Sequence, residues 1–312
     1  MKYQEWLKEW LENFVKPAGK EKTYSTYVWA VTKYLAPALG GREVDELDPS
    51  ELQRFVAHLA ESDRALSSNA INLIITVMQG SLKCAYAMGK ATAYAAANVR
   101  RPRIVQSKTQ CFTASEQARI ERAVLCGGHR YMYGVVVCLY TGLRVGELLA
   151  LKWEDIDFKS SLLYVRRTGR DGRDDSGRYT LVTDSPKTAS SQRCIPIPRN
   201  IRRLFSLLRA GGRSEFVLSH NSKPILVRSY QRMFERLLVR LGIPRKGFHA
   251  LRHTFATRAV ECGMDVRTLS EILGHKSPSV TLNRYVHSFM EQKRKMMNKV
   301  GERCFSLNGM PL

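Results

Sequence analysis

The stretch "VRRPRIVQSKTQ", residues 99–110, constrains the fold more than any other. It is basic, holds Pro102 and shows no apolar stripe, so it reads as an interdomain linker. A chain of 312 residues interrupted there must bury two separate cores, one on each side. Upstream, every periodic segment is helical. "QEWLKEWLENFV" places Trp6, Leu7, Trp10, Leu11 and Phe14 on one stripe. "TYSTYVWAVTKYLAPALG" is a second helix, expected to end near Pro37 and Gly40–Gly41. "DPSELQRFVAHLAES" opens on an N-cap signal, Asp48 then Pro49. "SSNAINLIITVMQGSLKCAYAMG" is the most apolar and belongs at the centre of a small bundle. No strand pattern precedes residue 100.

Downstream the chain is helical again from "TASEQARIERAV", with one interruption. "DIDFKSSLLYVRRTG", "YTLVTD" and "RCIPIP" are short β-branched runs separated by Gly, Asp and Ser, which predicts a small antiparallel sheet. Between two of them, "RTGRDGRDDSGRY" is too rich in glycine and charge for a tight hairpin and reads as a protruding loop. Five helical segments follow, the last, "SVTLNRYVHSFMEQKRKMMNKV", with a break near His287. The expected fold is mainly α with a small antiparallel β-sheet.

Charge bounds the function. Lys and Arg number 50 against 28 Asp and Glu, a net +22. Residues 1–99 hold 11 basic and 11 acidic side chains, so the whole surplus lies in residues 100–312, with 39 basic against 17 acidic. A surplus of that size in one region calls for a polyanionic partner, nucleic acid before an anionic membrane surface. No apolar run approaches the ~18 residues of a membrane helix, and "MKYQEWLKEW" is no signal peptide. The seven cysteines form no CxxC pair and read as reduced thiols, which fits the cytoplasm.

Chemistry concentrates in a few strings. "FHALRHTFAT" sets His249, Arg252 and His253 at i, i+3 and i+4, one face of a helix. A zinc site there lacks the HExxH glutamate, and Arg252 between the two histidines repels a cation, so no metal is expected. "TGLRVGELLAL" places Arg144 at a break in an apolar helical segment, where a buried guanidinium needs an anion. "SPKTASSQR" holds Lys187 in a turn between strands, "ILGHKS" supplies His275 after a glycine cap, and "TLNRYVH" supplies Tyr285 and His287. Singly each has an ordinary reading. Together they make sense for phosphoryl transfer: two arginines grip the non-bridging oxygens of a phosphodiester, a tyrosine attacks phosphorus, and a lysine protonates the leaving oxygen.

These strings, in this order and spacing over about residues 112–290, resemble the tyrosine recombinase (phage integrase) family, which includes the integrases of phages and conjugative transposons. The resemblance implies a helical core-binding, DNA-binding domain over 1–99, a basic linker over 100–111, a catalytic domain over 112–288 and a C-terminal helix or tail over 289–312. It implies Arg144 and Arg252 as phosphate clamps, Tyr285 as the nucleophile that forms a 3′-phosphotyrosyl enzyme, and Lys187 as general acid for the 5′-oxygen. His249 is then the base toward the tyrosine, His275 a donor to a phosphate oxygen, and Glu147 a supporting residue that orients its neighbours. Arg100, Arg101, Arg103 and Lys108 are candidate phosphate contacts in the linker. His253 is expected to pack or bond structurally.

The implied function is a site-specific DNA recombinase (integrase), active without cofactor, ATP or metal, that integrates or excises a mobile element. Its implied partners are double-stranded DNA carrying a recombination site, a homotetramer on two duplexes, and accessory DNA-bending or directionality factors, in a bacterial cytoplasm. No arm-binding domain, which phage and conjugative-transposon integrases often carry, is obvious ahead of residue 1. In the tail, Met290, Met296, Met297 and Val300 form a candidate face for docking on a neighbouring protomer. Type IB topoisomerase-like relaxation shares the clamp and tyrosine and is the alternative chemistry. A non-catalytic DNA-binding regulator is the alternative of another class.

Overall fold

Two prolines sit inside the first helices without ending them. In the computed structural model, which describes residues 1–19, 21–61, 66–102, 110–127, 129–184, 192–210, 214–275, 294 and 297–301, α1 (Tyr3–Trp10) passes through a π-helical turn, Leu11–Val15, into α2 (Lys16–Ala18). The same sequence of events joins α3 (Glu21–Ala30), the π turn Val31–Leu35 and α4 (Ala36–Leu39). Each π turn stands just ahead of a proline, Pro17 or Pro37. There the amide of Lys16 donates to the Leu11 carbonyl and that of Ala36 to the Val31 carbonyl, five residues back. The wider turn displaces the carbonyl that a proline ring would strike in a regular helix. The second helix therefore runs past Pro37 to Leu39 and closes at Gly40.

The chain divides into two compact units, 1–107 and 108–312. In the first, α5 (Pro49–Glu61) begins where Asp48 Oδ1 accepts the Ser50 amide at 2.6 Å, and α6 (Ser68–Ala87) begins at the Ser67 cap. α6 packs on α1, α3 and α5, with Ile71, Ile74, Ile75, Val77, Met78 and Leu82 buried, so the most apolar helix is the central one. Trp6 is wholly buried, and its indole Nε1 donates to the Ser81 carbonyl at 2.9 Å, which satisfies the one polar atom the ring carries inside. Among the described residues of this unit there is no strand, only an isolated bridge between Lys2 and Glu43.

In the second unit α7 (Ala114–Gly127) leads to α8 (Tyr133–Thr141) and α9 (Val145–Leu149). α8, "YGVVVCLYT", is apolar on almost every side and lies in the core, against α7, α10 (Arg199–Arg209) and α12 (His249–Glu261). Strands β1 (Ile156–Asp157), β2 (Leu162–Val165) and β5 (Arg193–Pro196) form an antiparallel sheet in the order β1-β2-β5, with Leu163 opposite Ile195 and Val165 opposite Arg193. β6 (Ser219–His220) and β7 (Lys223–Pro224) make a second short pair. α11 (Val227–Arg240) and α13 (Val266–Leu273) are further helices of this unit, and a helical piece over 297–301 leaves Met297 and Val300 exposed. No helix among the described residues is long and apolar enough to cross a membrane.

One expectation is corrected. "RTGRDGRDDSGRY" is not a loop: β3 (Thr168–Arg173) and β4 (Tyr179–Asp184) pair along six residues as an antiparallel hairpin of their own. Its turn is built by Asp174, whose Oδ1 accepts from the Ser176 hydroxyl at 2.6 Å and the Arg178 amide at 2.9 Å, while Gly177 adopts φ +79°. β3 is anchored from outside. Asp171 accepts the amides of Val227 and Arg228 at 2.6 and 3.0 Å and so caps α11 from another element.

Candidate active site

The site forms where α13 ends. Asp265 caps the start of this helix by accepting the Thr268 amide at 2.9 Å, and Gly274, at φ +64°, ends it in the left-handed conformation that glycine takes most readily. The last carbonyls of a helix have no partner within it and carry the negative end of its dipole. Here three consecutive carbonyls are met by three arginines from three other elements. Arg193 Nε donates to Ile272 at 2.5 Å, Arg252 Nη2 to Leu273 at 2.6 Å, and Arg144 Nη2 to Gly274 at 3.3 Å. His275 follows directly, its amide donating to the Ser270 carbonyl at 3.1 Å.

Arg252 is 2% exposed, a cation that burial would penalise heavily without partners. Its second partner is the Gly142 carbonyl, 2.8 Å from Nη1, at the C-terminus of α8. The guanidinium thus lies across the negative ends of two helices. Gly142 itself is at φ +66°, and a Cβ there would stand 2.6 Å from Phe255 Cδ1 and 2.8 Å from Leu273 Cδ2. Backbone freedom and close packing both require glycine at the residue that holds Arg252.

Arg144 stands at the N-cap of α9, and Glu147 one turn on reaches back to it. Glu147 Oε2 accepts the Arg144 amide at 2.9 Å and Oε1 accepts its Nη1 at 2.6 Å. The Arg144 side chain is still 37% exposed, so one guanidinium of the cluster faces solvent while the others are enclosed. Glu147 has a second partner on β5: Arg193 donates Nη1 to Oε1 at 3.0 Å and Nη2 to Oε2 at 2.8 Å, a two-pronged bond with both side chains 5% exposed. Burial raises the carboxyl pKa, but the Arg193 bonds and the two guanidinium charges outweigh it and hold Glu147 at about 2. The carboxylate is ionised at any physiological pH.

His249 opens α12 one turn ahead of Arg252, exposed, with its ring edge-on to His253 at 4.6 Å and 89°. The structure therefore gathers Arg144, Glu147, Arg252 and His275 around the end of α13, with His249 on the helix that carries Arg252. Lys187 and Tyr285 lie outside the described residues, as do Arg103, Lys108, His287, Met290 and Met296. In the linker, the Arg100 amide donates to Gln53 Oε1 at 2.8 Å. Arg101 is engaged on α6, donating to Gln79 Oε1 at 2.7 Å, Thr76 Oγ1 at 3.1 Å and the Asn72 carbonyl at 3.2 Å. These bonds tie both residues to the first unit. Sequence reasoning missed Arg193. The signal was its phase: it shares a strand face with Ile195, and a cation on an inward face requires a buried carboxylate.

Comparison with known proteins identifies the family and the fold. The sequence model described as the phage integrase family matches residues 120–292, and that of the phage integrase N-terminal SAM-like domain matches residues 2–60. A tyrosine recombinase XerC-like protein of Caldanaerobacter subterraneus subsp. tengcongensis is 27% identical, over 94% of this chain and 81% of its own. The transposase from transposon Tn916 of Enterococcus faecalis is 22% identical, over 93% and 76%. Among solved structures, the Tn1549 transposon integrase in complex with a circular intermediate DNA superposes with a TM-score of 0.81 at 21% identity, covering 96% of this chain and 99% of that one. A lambda integrase dimer bound to a core site gives 0.71 at 18% identity, covering 91% and 77%.

Proposed function

This chain belongs to the phage integrase family of tyrosine-type site-specific recombinases, and on that premise we propose that the cluster at the end of α13 binds the scissile phosphodiester of a duplex recombination site. The observation that carries this reading is the convergence of Arg144, Arg252 and Arg193 on three successive carbonyls beside His275. Arg144 and Arg252 donate to the non-bridging oxygens, with His275 as a further donor. Arg252 is fixed by burial, whereas Arg144 is partly exposed and holds Gly274 by a long bond, so the phosphate takes over from that carbonyl.

The chemistry follows in balanced steps. The Tyr285 oxygen attacks phosphorus, its proton passing to His249, and the P–O5′ bond breaks as Lys187 protonates the leaving oxygen. The products are a 3′-phosphotyrosyl enzyme and a free 5′-hydroxyl. Attack by a 5′-hydroxyl from the partner duplex reverses the step, returns the proton to Tyr285 and completes strand exchange. The phosphotyrosyl bond conserves the energy of the broken diester, so this sequence requires neither ATP nor a metal. A fixed array of positive donors supplies the electrostatic part of catalysis.

Four protomers on two duplexes, integration or excision of a mobile element, accessory DNA-bending or directionality factors, and a bacterial, DNA-associated location complete the proposal. It also retains Arg100, Arg103 and Lys108 as linker phosphate contacts, with Arg101 released from α6 if it is to join them. The test is a suicide duplex nicked near the crossover, built on the attachment site flanking the gene. A covalent complex lost in Tyr285→Phe, with strand exchange between two distinguishable duplexes, is expected. Relaxation of supercoils without exchange would favour the topoisomerase chemistry, and no adduct under any condition would favour a binding regulator.

A further inference from the structure

The Glu147 carboxylate poses a problem for the clamp it supports. It stands 2.6 Å from an arginine whose charge the phosphate needs, in a site where burial makes charges count for more than in water. A carboxylate paired with Arg144 alone would cancel that charge at close range and compete with the phosphate for the same N–H groups. Arg193 removes the conflict. Its fork engages both Glu147 oxygens at 2.8 and 3.0 Å, so the carboxylate is already neutralised by a guanidinium that is itself 5% exposed and enclosed away from solvent.

We propose that Arg193 is a positioning residue for strand cleavage: by balancing Glu147 it leaves the Arg144 charge available to the scissile phosphate. The division of labour is visible in exposure. Arg193 and Glu147 are sealed together, and Arg144, the third member, is the one open to solvent. Glu147 can then orient Arg144 through its amide and Nη1 without claiming its charge. Arg193 Nε, on the Ile272 carbonyl, sets this balancing pair in register with the carbonyls that hold Arg252 and Arg144.

This inference rests on the recombinase reading, and the experiment separates the two. Single-turnover cleavage of the suicide duplex is measured for the wild type, Tyr285→Phe, Arg193→Met and Arg193→Lys, each checked for its fold by circular dichroism. A second duplex carries a methylphosphonate at the scissile position, which removes one non-bridging negative charge. Arg193→Met is expected to cleave the ordinary duplex about a hundredfold more slowly, the scale of losing one electrostatic donor. On the methylphosphonate its deficit relative to the wild type shrinks to about tenfold or less, because less charge has to be stabilised. Arg193→Lys keeps the charge without the fork and is expected to lose less than about tenfold; it decides the matter alone if the methionine variant does not fold.

Equal deficits on both duplexes, or a folded lysine variant slowed about a hundredfold, would show that Arg193 only staples β5 to α13 and would overturn the proposal. Absence of a Tyr285-dependent adduct with the wild type would overturn the recombinase reading and this inference with it.

Discussion

At the scale of single residues, Glu147 has the most exposed consequence, because its charge state is coupled to folding. Its carboxyl lies at about 2 in the folded protein against an ordinary 4.5. A depressed carboxyl stabilises the fold fully above pH 4.5, and that contribution is lost as pH falls from there toward 2. Glu147→Gln leaves Arg193 buried without its counter-charge and is expected to cost roughly 3 kcal/mol at neutral pH. The gap to the wild type should narrow as the solution is acidified from about pH 5 to about pH 3. Thermal melts at a series of pH values check this, and a gap that stays constant with pH would contradict it. The residues that the structure brings together were legible in part. Arg144, Arg252 and His275 stood out through their strings, but nothing local in "SSQRCIPIP" shows that Arg193 reaches Glu147 46 positions earlier. Such a pair is set by the tertiary fold, in which β5 packs on α13 and Arg193 reaches across to Glu147 of α9, and no sequence window contains it.

At the scale of elements, the described helices up to α13 followed from their stripes and caps, the helix expected over "SVTLNRYVHSFMEQKRKMMNKV" lies mostly outside the described residues, and the β3–β4 hairpin did not follow. Strand propensity is a property of fit to a half-buried surface more than of the residues themselves. "TGRDGR" becomes a strand because Asp171 is spent on the start of α11 and because Gly169 and Thr168 lie against Gly146. A Cβ at Gly146 would approach the Gly169 carbonyl to 2.6 Å, so α9, which carries Glu147, is seated directly on this hairpin. Asp171→Ala should therefore cost about 1 kcal/mol, the usual loss of a capping side chain. In a unit of this size that is a fall of about 2–4 °C in melting temperature. Asp171→Asn, which keeps an acceptor, should lose less. Calorimetry of the two variants checks the assignment, and an unchanged alanine variant would show that the cap carries no stability. The π turns ahead of Pro17 and Pro37 were also hidden. A proline normally marks a helix end, and only the i→i−5 bonds show how these helices continue.

At the scale of the whole molecule, the uneven charge was the most legible feature. The basic, proline-containing stretch at 99–110 and the surplus of 39 basic over 17 acidic side chains beyond residue 99 are plain in the chain. Binding to duplex DNA should accordingly be strongly salt-dependent. With six or more phosphate contacts, affinity for a non-specific duplex is expected to fall about 10³-fold or more between about 50 and about 200 mM salt. Fluorescence anisotropy across that range checks it, and a nearly flat dependence would mean that the surplus does not face the DNA. In the proposed reaction a tyrosine becomes joined to a 3′-phosphate in the arginine cluster at the end of α13. The most direct test is to digest the trapped covalent complex and identify its linkage by mass spectrometry. A phosphotyrosine at Tyr285 on a 3′-phosphate, with a free 5′-hydroxyl on the released strand, is the expected result; attachment at another residue, or through a 5′-phosphate, would contradict it.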